Sequence, residues 1–341
     1  MKRKNFISLM GLAGIPFNRN LPASGIADRP LLVPRYLKQG DLVGITCPAG
    51  NISLQEIQPA MMKLEEWGFS IRIGQTVGKK DFIYGGTDAE RLNDFQDMID
   101  DPSIKAILFG RGGYGSMRII DRIDFTNLLE HPKWLIGFSD ISVIHAHLHT
   151  RFNMASIHSK MCNSFPNDWT SAEQGQVDSI LSIEQALKGQ NMAYSAGPQT
   201  MNRVGTAVGQ LVGGNLKTIE SISDSPSDLQ TAGKILFLED TGEYLYSIDR
   251  MFWNLKRAGK LNQLKGLIIG GFKAKPDDPG EEFGKNIYEI VMEKLEDCNF
   301  PVCFDFPVGH QKDNYALKCG LYHRLDVKAD QVKLTELIAH E

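Results

Sequence analysis

Residues 107–118, Ile107-Leu108-Phe109-Gly110-Arg111-Gly112-Gly113-Tyr114-Gly115-Ser116-Met117-Arg118, run from an apolar strand through four glycines to a hydroxyl. Three chemistries compete for such a turn. Gly110-x-Gly112-x-x-Gly115 satisfies the spacing of a dinucleotide-binding loop. Its strand is the third of its block, however, and the next one ends in Phe138-Ser139-Asp140 without a ribose-binding acid at the usual distance. Gly110-x-x-x-x-Gly115-Ser116 approaches a phosphate loop, with serine where the lysine belongs. The third chemistry is a nucleophile elbow, in which small residues allow a tight strand–turn–helix and the hydroxyl of Ser116 stands at the sheet edge. The N–H groups and positive end of the following helix would then suit an oxyanion, although the spacing is not G-x-S-x-G. A glycine turn that only packs tightly remains the plain alternative.

A serine nucleophile needs a base, and the base needs an orienting carboxylate. Ile235-Leu236-Phe237-Leu238-Glu239-Asp240 ends an apolar strand in two acids, and Phe306-Pro307-Val308-Gly309-His310 puts a histidine just after a strand and turn. Solvated caps and a surface histidine are the competing readings. Ser116, Glu239 and His310 nevertheless follow an order that a hydrolase can use, because triads are defined by geometry and not by chain order. His145-Ala146-His147-Leu148-His149 resembles a metal cluster, but only His145 and His149 share a helix face and the zinc-protease glutamate is missing. No metal is expected there. Asp140 could cap the helix after it or brace the elbow from beside it.

These residues need a scaffold, and the hydrophobic pattern describes one. From Asp41, strands (42–47, 70–73, 104–109, 134–138) alternate with amphipathic helices, one of them opened by the capping box Thr87-Asp88-Ala89-Glu90. This predicts an α/β protein whose N-terminal domain, residues 28–165, is a mostly parallel, open, flavodoxin-like sheet flanked by helices and carrying the nucleophile. Residues 166–200 lose the pattern and read as a linker with one helix over 173–187. Strands and helices resume over 201–341 as a smaller β/α domain that carries Glu239 and His310 and ends in a hairpin over 322–335. The site would then lie in the cleft between the domains.

At 341 residues the chain has room for two domains; with 37 basic and 41 acidic residues it has no broad basic field, so no nucleic-acid partner is expected. No apolar run reaches the roughly 18 residues of a membrane span. Five scattered cysteines without a CxxC argue against a disulfide framework. Lys2-Arg3-Lys4, then the weakly apolar 6–17, then Gly25-Ile26-Ala27, follow the plan of an export signal over residues 1–27. The expected compartment is periplasmic, with a cytoplasmic protein as the alternative.

Four motifs, Arg111-Gly112-Gly113-Tyr114-Gly115-Ser116, Gly137-Phe138-Ser139-Asp140, Leu238-Glu239-Asp240 and Pro307-Val308-Gly309-His310, together resemble the LD-carboxypeptidase family of serine peptidases, which is related to microcin C self-immunity hydrolases. Asp41–Pro48 and Tyr84-Gly85-Gly86-Thr87-Asp88-x-x-Arg91 extend the likeness, which covers roughly residues 38 to 336. It implies a Ser116–His310–Glu239 triad, oxyanion donors at the backbone N–H groups of Met117 and Gly86, and no metal or cofactor. The implied substrate is a murein tetrapeptide, cut between an L-centre on diaminopimelate or lysine and a terminal D-alanine, by an enzyme that pairs as a homodimer. Arg111 is the candidate cation for the substrate's free carboxylate, with a packing role as the alternative. Met117 after the serine favours the peptidase branch over acyl-adenylate hydrolysis. Ile157-His158-Ser159-Lys160-Met161 departs from the His-Gly-Pro that relatives often carry. A nucleotide-using enzyme and a non-enzymatic two-domain solute-binding protein are the readings of other classes.

Overall fold

The structure is a computed structural model that describes residues 29–337; the export signal read at residues 1–27 lies outside them. β1 (Leu42–Thr46), β2 (Ser70–Ile73), β3 (Ile104–Phe109), β4 (Trp134–Gly137) and β5 (Ser156–His158) form a parallel sheet in the order β2-β1-β3-β4-β5. Strands β3 and β4 are apolar almost throughout because helices cover both faces of the sheet. On one face α1 (Leu54–Glu66) and α5 (Gln174–Leu187) bury Ile57, Leu64, Ile180 and Ile183. On the other, α2 (Asp88–Asp100), α3 (Thr126–Glu130) and α4 (Ser142–Phe152) bury Phe95, Leu128 and Ile144. The capping box expected at Thr87 is formed: Glu90 N–H donates to Thr87 Oγ1 (3.3 Å), and Thr87 N–H to Glu90 Oε2 (2.9 Å).

The second sheet is mixed and has seven strands. β7 (Gly205–Asn215), β8 (Ile235–Thr241), β9 (Gly266–Lys273) and β10 (Val302–Cys303) run parallel, while β12 (Tyr322–Val327), β13 (Val332–Glu336) and β6 (Ala193–Ala196) add antiparallel strands beyond β7. Helices α6 (Leu216–Ser221), α7 (Leu245–Arg257) and α8 (Ile287–Glu293) cover one of its faces through Ile219, Phe252 and Val291.

The stretch read as a linker is built into both units. Helix α5 packs on the first sheet and β6 edges the second. A further strand, β11 (Leu317–Cys319), leaves the C-terminal half of the chain and pairs antiparallel with β5. The segment before it is anchored on α5, where Asn314 N–H donates to Ser179 Oγ (2.8 Å) and Ala316 N–H to Ser182 Oγ (2.9 Å).

Helix α4 lies between the two sheets, in one apolar core with Val212, Leu216 and Ile219. That position explains a helix buried on every side, histidines included. The Nε2–H of His145 donates to the Gly137 carbonyl (2.9 Å), and its Nδ1 accepts from Ser156 Oγ (2.8 Å). His147 bonds Ser227 Oγ instead (2.9 Å), and burial pushes both imidazoles down to about 4. Among the described residues no group of three or more His, Cys, Asp or Glu is placed to hold a metal ion, and no helix is long and apolar enough to cross a membrane.

Candidate active site

The sheet order reverses between β1 and β3, and open α/β sheets place their ligands at that switch point. The loop after β3 delivers Ser116 there. Gly115 adopts φ +149°, and a Cβ on it would stand 2.7 Å from Arg91 Nη1, so a glycine is required directly before the serine. After Ser116 the chain makes two short 3₁₀ turns, Ser116–Arg118 and Ile120–Arg122, instead of the helix that an elbow predicts. A turn so short lacks a useful macrodipole, and single N–H groups are what it offers an oxyanion. Arg118 N–H returns to Gly115 O (3.1 Å) and Ile119 N–H to Ser116 O (3.2 Å), so Met117 carries the next N–H after the nucleophile.

Asp140 braces the turn, accepting Ser116 N–H at 2.8 Å. Burial pushes its carboxyl up, against that bond. Ser116 itself is fully buried, and its Oγ takes no hydrogen bond from any described group. A buried hydroxyl without a partner costs about 1–3 kcal/mol, and such orphans gather at functional sites.

Strand β8, buried for all but its last residue, carries Glu239 at 0% exposure. Its Oε2 accepts His310 Nδ1–H at 2.6 Å and the His310 backbone N–H at 3.1 Å. Two bonds from one residue fix both the ring and the chain behind it. Gly309, φ +104°, passes so close over the Glu239 side chain that a Cβ there would overlap it. The turn is held further by Asn314 Oδ1, which accepts Gly309 N–H (2.8 Å). The His310 ring packs on Phe138, centroids 4.8 Å apart, and Phe138 lies two residues before Asp140. The structure thus brings Glu239 and His310 into direct contact. It carries the first sheet to them through Phe138, and it leaves Ser116 tied by its backbone to Asp140.

A cavity of about 450 Å³ opens beside the turn, lined by Tyr114, Met117, Ser139 and Asp140 from the first unit and by Asn215 and Asp240 from the second. Burial pushes the Asp240 carboxyl up to about 7, opposed by the Lys217 N–H it accepts and reinforced by the charge of Glu239. Arg111 is part-buried and donates to the Asn51 carbonyl at 3.3 Å. Gly86, φ +117°, turns its carbonyl to Arg91 Nε (3.2 Å).

Arg91 is the residue whose task went unread. Its guanidinium is completely buried and donates to three carbonyls from three loops: Pro48, Gly86, and Gly115 at 2.9 Å. It also pairs with Asp88, which holds Arg118 at 2.7 Å on the far side of the nucleophile turn. A signal was present, because a cation in the first turn of a helix opposes the macrodipole and wants a reason. Arg91→Met should therefore lower stability by about 2–3 kcal/mol and slow turnover at least tenfold. Arg91→Lys should recover part of the melting temperature but little turnover, since a point charge cannot span three carbonyls. Melting curves and kcat on both variants test this, and full activity in Arg91→Met would refute it.

The two-unit α/β fold agrees with what comparison finds. Residues 43–159 match the LD-carboxypeptidase N-terminal domain, and residues 208–325 match the LD-carboxypeptidase C-terminal domain. The chain belongs to the LD-carboxypeptidase family, and so to the serine peptidases. It is 31% identical to the "probable murein peptide carboxypeptidase" of Bacillus subtilis, across 84% of this chain and 89% of that one. It is 30% identical to the murein tetrapeptide carboxypeptidase of Pseudomonas aeruginosa, across 82% and 91%. An MccF-like protein from Bacillus anthracis shares the fold, with a TM-score of 0.78 at 22% identity over 90% of this chain and 99% of that one.

Proposed function

We propose that this enzyme hydrolyses the amide bond between an L-centre, on diaminopimelate or lysine, and the terminal D-alanine of murein tetrapeptides, through an acyl-enzyme on Ser116. The observation that carries the reading is the buried Glu239 carboxylate gripping His310 at Nδ1 and at the backbone N–H. A carboxylate can only accept, so Nδ1 bears the proton and Nε2 is left as the base. Nε2 takes the Ser116 proton as Oγ attacks the carbonyl, and later returns it to the leaving amine. Glu239 stabilises the imidazolium in between. The N–H groups of Met117 and Gly86 serve the oxyanion. Catalytic hydrogen bonds are often long before substrate binds, and the unpaired Oγ of Ser116 fits a contact completed only in the complex. The names of the Bacillus and Pseudomonas relatives support the choice of substrate.

Incubation with an L,D-tetrapeptide should release one equivalent of D-alanine, while the all-L peptide stays intact; amino-acid analysis reads both. No release from either peptide refutes the reading. Turnover of an aminoacyl-sulfamoyl adenosine in their place would move the enzyme to the microcin-type branch.

A further inference from the structure

A carboxypeptidase must tell a chain end from a peptide bond in mid-chain. The carboxylate that marks the end belongs to the leaving residue, within about one residue length, roughly 3.5 Å, of the nitrogen being released. In the reading above His310 protonates that nitrogen, so the recognising cation should stand on the His310 side of the cleft. Arg111, on the β3 loop, has its guanidinium turned to the Asn51 carbonyl.

A separate pocket of about 280 Å³ is lined by Lys160, Lys273, the Lys312–Glu173 pair and Gln311, the residue that follows His310 in the chain. Lys160 lies in the loop after β5 and is only 7% exposed. Its ammonium donates to the carbonyl of Gln311, the residue next to His310, at 3.1 Å. An ammonium has three hydrogens, and no carboxylate lies within 4.0 Å of this one among the described residues. Asp313 acts on it only at longer range, and Lys273, at the end of β9, adds a second positive charge. Lys312 is neutralised by Glu173. Two cations without close counter-ions among the described residues thus line one small pocket; Lys160 is the buried one, and burying a cation in this way is costly unless an anion completes it. Burial accordingly pulls the Lys160 ammonium down to about 8.

We propose that Lys160, assisted by Lys273, forms the subsite for the free carboxylate of the residue released. The inference rests on the carboxypeptidase reading and gives a task to the Ser159-Lys160-Met161 departure from the family pattern. It is tested by comparing kcat/KM on an L,D-tetrapeptide with kcat/KM on the same peptide amidated at its C-terminus. Wild type should prefer the free acid by roughly ten- to a hundredfold, the worth of a charged hydrogen bond. Lys160→Met should bring that ratio to near unity by losing rate on the acid alone. Lys273→Gln, exposed and harmless to folding, should lower it several-fold, and Arg111→Gln should leave it unchanged. An undiminished ratio in both lysine variants, or its loss in Arg111→Gln, overturns the subsite while the peptidase reading stands. No release from either peptide by wild type overturns both.

Discussion

Ser116→Ala should reduce D-alanine release by about 10⁴- to 10⁶-fold in kcat while leaving the protein at least as stable as before. The first half follows from removing the atom that attacks, with only binding and oxyanion donors left to help. The second half follows from what surrounds that atom. Ser116 Oγ is buried and meets no partner at full hydrogen-bond geometry among the described residues; it only lies near enough to the Asp140 carboxyl to oppose that group's rise, so the fold recovers little of its desolvation. A methyl group in its place removes that cost, and the brace from Ser116 N–H to Asp140 is untouched. The signature sought is therefore activity lost with melting temperature unchanged or raised, the trade expected where a site is held for function. Ser139→Ala is the matched control. Ser139, directly after β4 with φ +65°, lines the cavity beside the nucleophile turn, and a rival nucleophile would stand there. Release that survives Ser116→Ala and fails in Ser139→Ala would transfer the role. A melting temperature that falls in Ser116→Ala would mean that the hydroxyl is structural.

Much of this arrangement could be read from local pattern. The alternation of apolar runs with capped helices is a short-range signal, and β1, β3, β4 and α2 stand where it puts them. The ends of β3 and β8 were legible for the same reason, since a buried strand that stops at glycine or at paired acids marks a sheet edge. What escaped depends on partners distant in sequence. Strand β11 has three residues, too few to show a period, and it exists because β5 offers an open edge and α5 holds its approach. Residues 166–200 looked polar enough for a linker, yet Ile180 and Ile183 find a sheet face to cover. The choice open to Asp140 was decided by Ser116 N–H, a contact across 24 positions. Arg91 was visible within its motif, but three carbonyls converge on it only once β1, α2 and the β3 loop have met.

Glu239→Gln should cost about 10⁴-fold in kcat with little change in the shape of the site. The amide is isosteric with the carboxylate. Its oxygen can take the place of Oε2 and accept from His310 Nδ1–H and the backbone N–H, while its NH₂ falls where Oε1 now has no partner. Orientation survives, and what disappears is the negative charge that steadies the imidazolium between proton uptake and delivery. A second readout follows from the neighbouring acid. Asp240 is held up at about 7 by burial, and the Glu239 charge adds to that rise. A like charge disfavours ionisation, so its removal should move the Asp240 titration downward, which NMR of a carboxyl-labelled sample can follow. Stability carries the same sign. With a folded value near 7 against 3.8 for the free group, Asp240 supports the fold fully below about 3.8 and loses that support as pH rises towards 7. In Glu239→Gln the window should narrow from its upper end, leaving the variant the less pH-sensitive of the two between pH 4 and 7. If Asp240 titrates identically in both proteins, the two carboxylates do not feel each other; if kcat falls less than tenfold, Glu239 is not the partner of the base.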